Sequence, residues 1–181
     1  MKILAFGASS SRRSINHQLA RHAADIVREE LVTDAQSEEF NLSRLVLSLY
    51  SEDLEREQGA PDAARDFLEA IGRADALIIS FAEHNGSYTA AFKNLFDWAS
   101  RIERKVYQGK PAVFLSTSPG ARGAASVLET ALSSAPFFGA LVRASVSIGS
   151  FHESFDVETG RLVEADAAAR LRTALATLVD S

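Results

Sequence analysis

The 181-residue chain contains no cysteine, which excludes both a disulfide framework and a thiolate metal site. It also lacks any apolar run approaching the roughly 18 residues that a membrane-spanning helix needs. No basic run is present: the cations are spread along the chain and the net charge is −5, so nucleic acid is not expected as a main partner. A small anionic ligand remains compatible with that balance, because a few local cations at a pocket are invisible in the net charge. No charged-then-apolar leader with a small-residue cleavage site opens the sequence, so a cytoplasmic location is expected. Internal repeats, low-complexity segments and interdomain linkers are absent as well, which leaves one domain over residues 1–181. With 46% hydrophobic and 24% charged residues, such a domain has the composition of an ordinary soluble globular protein with a full core.

What is present is organised around the first sixteen residues. Ile3-Leu4-Ala5-Phe6 is a short apolar run that stops at Gly7. Hydroxyls and two arginines follow, with Ser14 as N-cap of a helical pattern that starts at Ile15. Strand, polar turn and helix is the layout in which a parallel-sheet protein meets a phosphate, because free backbone N–H groups and the positive helix end point outward together.

Further along, Ile15, Leu19, Ala23, Ile26 and Val27 recur at helical spacing to about residue 31. A short second strand is expected near Glu39-Phe40-Asn41-Leu42, and Ser51 to Gly59 reads as a charged surface segment. Pro61 opens a helix whose buried face is Ala64, Phe67, Leu68 and Ile71. Ala76 to Phe81 is apolar on both faces, the pattern of a central parallel strand covered on both sides. A helix carrying Phe92, Leu95, Phe96 and Ala99 follows, then a strand at Ala112 to Leu115, a helix over 124–135, a strand over 140–148 and a closing helix over 165–179. Five strands alternating with five helices specify an α/β fold: a five-stranded parallel sheet of order 2-1-3-4-5 with helices on both faces.

Ligands of such sheets bind beyond the carboxyl ends of the strands, where the strand order reverses. Three polar loops fall on that edge: Ser9 to Asn16, Glu83 to Ser87 and Ser116 to Gly120. The first offers Ser9, Ser10, Ser11 and Ser14, Arg12 and Arg13, Asn16 and a helix start, which suits a terminal phosphate dianion. It matches neither the glycine spacing of a dinucleotide fingerprint nor the Gly-Lys-Ser/Thr ending of a triphosphate loop. The other two are rich in Gly, Ser, Thr and Asn, whose backbones approach a flat heterocycle closely and hydrogen-bond its edge.

Gly7-Ala8-Ser9-Ser10-Ser11-Arg12-Arg13-Ser14-Ile15-Asn16 resembles the strand-one phosphate loop of the NADPH-dependent FMN reductase family, a flavodoxin-like group that includes quinone, chromate and azo-dye reductases. Glu83-His84-Asn85-Gly86-Ser87, with Lys93-Asn94 and Asp97-Trp98 downstream, resembles that family's second signature, and Ser116 to Gly123 resembles its third loop. The resemblance runs from Met1 to about Ile148. It implies non-covalently bound FMN, with Ser9, Ser11, Arg12, Ser14, Ile15 and Asn16 at the phosphate. Glu83, His84, Asn85, Gly86 and Ser87 on one side, and Ser116, Thr117, Ser118, Pro119 and Gly120 on the other, would flank the isoalloxazine ring. It further implies an NADPH- or NADH-dependent oxidoreductase that passes hydride through FMN to FMN, a quinone or a similar small acceptor, without a catalytic side chain. A flavodoxin-type electron carrier and a non-enzymatic flavin-binding protein are the alternatives, and a homodimer or homotetramer is the implied assembly.

Three departures from the family pattern stand out. Arg12 sits one residue later than the usual arginine, Ala82 replaces a proline, and His84 replaces the tyrosine that borders the flavin. Other residues have plainer readings. His17, His22 and His152 lack a partner at metal-ligand spacing, and no metal is expected. Lys93 and Asp97 form an i,i+4 surface pair. Trp98 is expected in the core or at a subunit contact, and Phe137, Phe138 and Phe151 at a subunit interface or the pocket rim.

Overall fold

The computed structural model describes residues 1–179. In chain order the elements are β1 (Lys2–Ala8), α1 (Ile15–Ile26), continued by a π-helical turn over Val27–Leu31, β2 (Gln36–Glu39), a 3-10 turn at Leu42–Arg44, α2 (Glu52–Gln58), α3 (Asp62–Arg73) and β3 (Ala76–Phe81). A hairpin of β4 (Glu83–His84) and β5 (Ser87–Tyr88) leads into α4 (Ala90–Ile102), β6 (Pro111–Thr117) and α5 (Ala125–Ser134). The chain then runs through a 3-10 turn at Ala135–Phe138, β7 (Leu141–Ile148), the single turn α6 (Phe151–Ser154), a hairpin of β8 (Phe155–Asp156) and β9 (Arg161–Leu162), and α7 (Ala165–Ala176). The sheet order is β2-β1-β3-β6-β7, all parallel, which is the expected 2-1-3-4-5.

Side chains alternate across these strands and build two different cores. Leu4, Phe6, Leu77, Ile79, Phe81 and Phe114 face α3, α4 and α5, where Phe67, Phe92 and Trp98 join them. This face is aromatic: Phe6 meets Phe67 edge-on at 5.6 Å, and Phe81 meets Phe92 at 5.6 Å and Phe114 at 5.0 Å. Edge-to-face contacts of this kind add to area burial. The opposite face is built from smaller groups, with Ile3, Ala5, Ile78 and Val113 against Leu19, Ala23 and Ala24 of α1 and Leu171 and Leu175 of α7. Small residues let α1 lie close to the sheet. Gly7 marks the closest approach, since a Cβ there would come within 2.7 Å of His17 Cα.

The second strand differs from expectation. It occupies Gln36–Glu39, is exposed throughout, and pairs with β1 from Lys2↔Gln36 to Ala5↔Glu39. An edge strand is defined by its backbone ladder, and charged side chains on it discourage further pairing. The apolar residues that pointed to a strand, Phe40 and Leu42, come after it and pack down onto the aromatic core instead. The charged segment Ser51 to Gly59 lies at the surface as expected and contains the helix α2. Ser51 caps α2 by accepting the N–H of Leu54 at 3.1 Å, and no residue of α2 is buried, so hydrophobic periodicity had no pattern to display.

Strand register positions the loops. Ala8 pairs with Phe81, Phe81 with Ser116, and Thr117 with Ile148. The chains leaving β1, β3 and β6 therefore depart side by side, at the point where the path turns from β1 outward in both directions.

Candidate functional site

A groove of about 220 Å³ lies at this strand edge, lined by Ser9, Ser11, Arg13, Ser14, Ile15 and Asn16 from the first loop, Ala82, Glu83 and His84 from the second, and Thr117, Ser118 and Pro119 from the third. Three loops distant in sequence converge here, as the topology requires.

The first loop is shaped by its own hydroxyls. Ser9 N–H donates to Gly7 O at 2.8 Å, Ser11 N–H to Ser9 Oγ at 3.2 Å, and Ser14 N–H to Ser11 O at 3.1 Å. Ser14 is extended, and its Oγ accepts the N–H of His17 at 3.2 Å, so it is the N-cap of α1 as its position predicted. Beyond that cap the N–H groups of Ile15 and Asn16 have no acceptor among the described residues. Two open N–H groups on the positive end of a twelve-residue helix form an anion cradle. Arg12 and Arg13 are both exposed, and neither pairs with a carboxylate among the described residues. Arg13 lines the groove, whereas Arg12 lies outside its lining.

Asn16 has a role its sequence position did not reveal. It is 3% exposed. Its Oδ1 accepts the Ser80 hydroxyl at 2.7 Å and the Thr117 N–H at 3.1 Å, while its Nδ2 donates to Thr117 O at 3.0 Å. The side chain thus bolts the first turn of α1 to β3 and to the end of β6, and what it offers toward the groove is its backbone N–H. Thr89 makes a similar tie, donating its hydroxyl to Ala8 O at 2.9 Å.

The second loop is a hairpin rather than an irregular segment. Asn85 and Gly86 both have positive φ, 53° and 79°, as an Asn-Gly turn between paired strands requires. The turn holds His84, Asn85, Gly86 and Ser87 exposed at its tip, with His84 along the groove. In the third loop the hydroxyls turn inward. Ser116 Oγ donates to Gly123 O and Thr117 Oγ1 to Ile148 O, both at 2.7 Å, and both residues are buried. Only Ser118, Pro119 and Gly120 reach the surface.

The downstream signature on α4 acts away from the groove. Asn94 Nδ2 and Trp98 Nε1 both donate to Ser48 O, at 3.0 and 2.9 Å, and Asn94 Oδ1 accepts the N–H of Tyr50 at 2.9 Å. This half of the motif clamps the segment between β2 and α2 onto α4. Lys93 and Asp97 form the expected pair at 2.6 Å, and Trp98 is a core residue. Phe151 is also fully buried, stacked on Phe155 at 4.7 Å, while Phe137 is exposed.

A larger cavity, about 420 Å³, lies elsewhere, between α1 and the β8–β9 hairpin. Around it Asp25 is paired with Arg28 at 2.5 Å, and His22 Nε2 accepts the N–H of Leu162 at 3.3 Å. The smaller groove, in contrast, lies at the strand reversal and combines open helix N–H groups with Arg13. Among the described residues no group of His, Asp and Glu is disposed to hold a metal.

The family profile described as NADPH-dependent FMN reductase matches residues 1–153. The chain belongs to that family. It is 36% identical over 120 residues to the NAD(P)H-dependent FMN reductase of Pseudomonas aeruginosa, a stretch covering 65% of this chain and 64% of that protein. With the 2-hydroxy-1,4-benzoquinone reductase of a Burkholderia species it shares 36% identity over 126 residues, 69% of this chain and 64% of the relative. The chain therefore spans 64% of the length of these two relatives. Among solved structures, the flavoenzyme NAD(P)H:(acceptor) oxidoreductase of Paracoccus denitrificans superposes with a TM-score of 0.76 at 23% identity, covering 99% of this chain and 95% of that one. That likeness shows the shared flavodoxin-like fold. The family match covers all three loops of the groove.

Proposed function

We propose that this chain is an FMN-dependent NAD(P)H oxidoreductase that reduces quinones or similar small acceptors at the groove of the three loops. The observation that carries the reading is the open anion cradle at the point of strand reversal: two unpaired N–H groups on α1 beside an unpaired Arg13. The donor set fits a flavin phosphate. Ile15 and Asn16 N–H, the hydroxyls of Ser9, Ser11 and Ser14, and Arg13 would hold it, with Arg12 close by in sequence as a screened outer charge. His84 to Ser87 and Ser118 to Gly120 would border the ring.

FMN, when bound, supplies the hydride chemistry between a nicotinamide donor and the acceptor. The chain's part is position and electrostatics. Thr117 N–H is given to Asn16, and Pro119 has no N–H, so the donors left for negative charge at the ring are those of Ser118, Gly120 and the hairpin tip. His84, exposed at that tip, occupies the wall an acceptor must pass. No acid or base fixed in the groove is needed for such a transfer.

Absorbance of the purified protein, before and after anaerobic addition of NADPH, tests cofactor, donor and reactivity together. A flavin spectrum that bleaches with NADPH is the expected result; a protein that takes up no FMN sinks the reading. Steady-state consumption of NADPH with a quinone separates the oxidoreductase from an electron carrier, which consumes almost none. We further propose a cytoplasmic homodimer or homotetramer. Supporting assembly, Val46, Leu49 and Phe137 are 98%, 81% and 73% exposed, and an apolar cleft of about 170 Å³ between α4 and α5 is lined by Phe92, Phe96 and Phe138. Size-exclusion chromatography with light scattering reads the assembly. No helix of the described residues is long and apolar enough to cross a membrane.

A further inference from the structure

Glu83 and Tyr88 are paired at the base of the β4–β5 hairpin, and both side chains reach across to α5, at opposite ends. Glu83 Oε2 accepts the N–H of Val127, in the first turn of α5, at 2.9 Å. The Tyr88 hydroxyl lies 3.2 Å from Ser134 Oγ, on the last residue of that helix. The helix has no cap of its own: the preceding residue, Ala124, sits at φ 61° and has no side-chain acceptor. A helix start leaves N–H groups without partners, and a carboxylate is favoured there by the helix dipole. Here the cap comes from 44 residues earlier, on the hairpin that carries His84 and Asn85.

α5 follows directly from the third loop, whose far end is tied to β6 through Ser116 Oγ and Gly123 O. Hairpin, helix and third loop are therefore linked in a closed circuit. A hairpin of two-residue strands with its tip in solvent has little rigidity by itself. Its conformation depends on what holds its base.

We propose that Glu83 is a positioning residue which, together with Tyr88, joins the hairpin and the third loop into one wall facing the flavin ring; the function of that wall rests on the flavin reading above. Glu83 acts through the hairpin tip and through α5, not through contact with the ring. Glu83→Ala removes the link, whereas Glu83→Gln retains an oxygen able to accept the Val127 N–H.

Amide hydrogen exchange on the flavin-free protein reads the coupling directly. Glu83→Ala speeds exchange at residues 84–87 and 125–128 together, by about tenfold, the size of a lost helix cap, and Glu83→Gln restores both segments. Tyr88→Phe speeds exchange at 84–87 to a smaller extent. In the flavin-loaded protein, Glu83→Ala weakens FMN binding by about tenfold and slows reduction by NADPH, and Glu83→Gln rescues both. If Glu83→Ala speeds exchange only at 125–128, with the hairpin amides and FMN affinity unchanged, Glu83 is a local helix cap and the proposal is overturned. Failure of the wild-type protein to bind FMN overturns the flavin reading instead, and the exchange pattern of the flavin-free protein still decides the coupling.

Discussion

The first and third loops of the groove look alike in sequence and do opposite things. Ser9 to Asn16 and Ser116 to Gly120 are both runs of hydroxyl and small residues beyond an apolar strand. In the first, hydroxyls fold the loop locally and leave two helix N–H groups and Arg13 facing outward. In the third, the hydroxyls of Ser116 and Thr117 are buried and bonded to the carbonyls of Gly123 and Ile148. One loop leaves helix donors open; the other uses its hydroxyls to close the sheet edge. A serine after a strand therefore says little about binding until its partner is known.

That contrast is open to test, and the largest effect belongs to the residue that connects the two loops. Asn16→Leu strands the Thr117 N–H, the Thr117 carbonyl and the Ser80 hydroxyl in a buried site. A loss of about 3–5 kcal/mol is expected from that many unpaired groups, seen as a fall in Tm of roughly 10 °C by thermal denaturation. The second effect is on binding alone. Ser14→Asp combined with Arg13→Glu keeps a competent N-cap but puts two negative charges at the cradle; FMN affinity should fall by more than about a hundredfold, with little change in Tm. Measured by fluorescence titration, unchanged affinity would remove the phosphate-loop assignment. Arg12→Glu, outside the groove lining, should weaken binding much less than Arg13→Glu, by about threefold or under at physiological salt.

Thr117→Val sharpens the other half of the comparison. It removes the bond to Ile148 O and should cost about 1 kcal/mol of stability, yet leave FMN affinity within about twofold. The smallest effect lies outside both loops and gives a reference for stability changes unrelated to anion binding. Burial holds the His22 imidazole below its ordinary value of 6.5, with Arg161 adding to the shift and Asp25, Glu29 and Glu30 opposing it. The folded protein then binds fewer protons than the unfolded chain below that pH. This contribution is complete above pH 6.5 and is lost as pH falls from 6.5 toward the folded value. Tm should decline modestly between pH 7 and pH 5, and His22→Gln should flatten that decline without altering FMN binding.

Legibility followed the physics of each element. Ala76 to Phe81 was plain because a strand buried on both faces must be apolar at every position, and it is buried throughout. The Ser14 cap was equally plain, since it needs only local chemistry. β2 was misplaced, and α2 was read as charged surface without its helix, because neither buries a face: a backbone ladder fixes one and a serine cap the other. In the candidate site, Arg13 rather than Arg12 lines the groove, a difference set by the path of the loop as it enters α1. Asn94 and Trp98 read as parts of a flavin-family signature, and in the fold they clamp Ser48 and Tyr50. No local pattern reports a hydrogen bond across 44 or 50 residues.

By itself, then, the sequence determined the α/β alternation, the sheet order, the convergence of three polar loops at one edge, and an anion-friendly helix start at Ser14. Each follows from periodicity, capping and chain handedness, which act over a few residues or are fixed by topology. Only the tertiary structure decided which of those polar groups are free. Asn16, Ser116, Thr117 and Glu83 were all candidates for a ligand, and each has a partner inside the protein. A donor or acceptor is available to a ligand only if nothing in the fold has claimed it, and the claims here come from strands and helices far away in the chain.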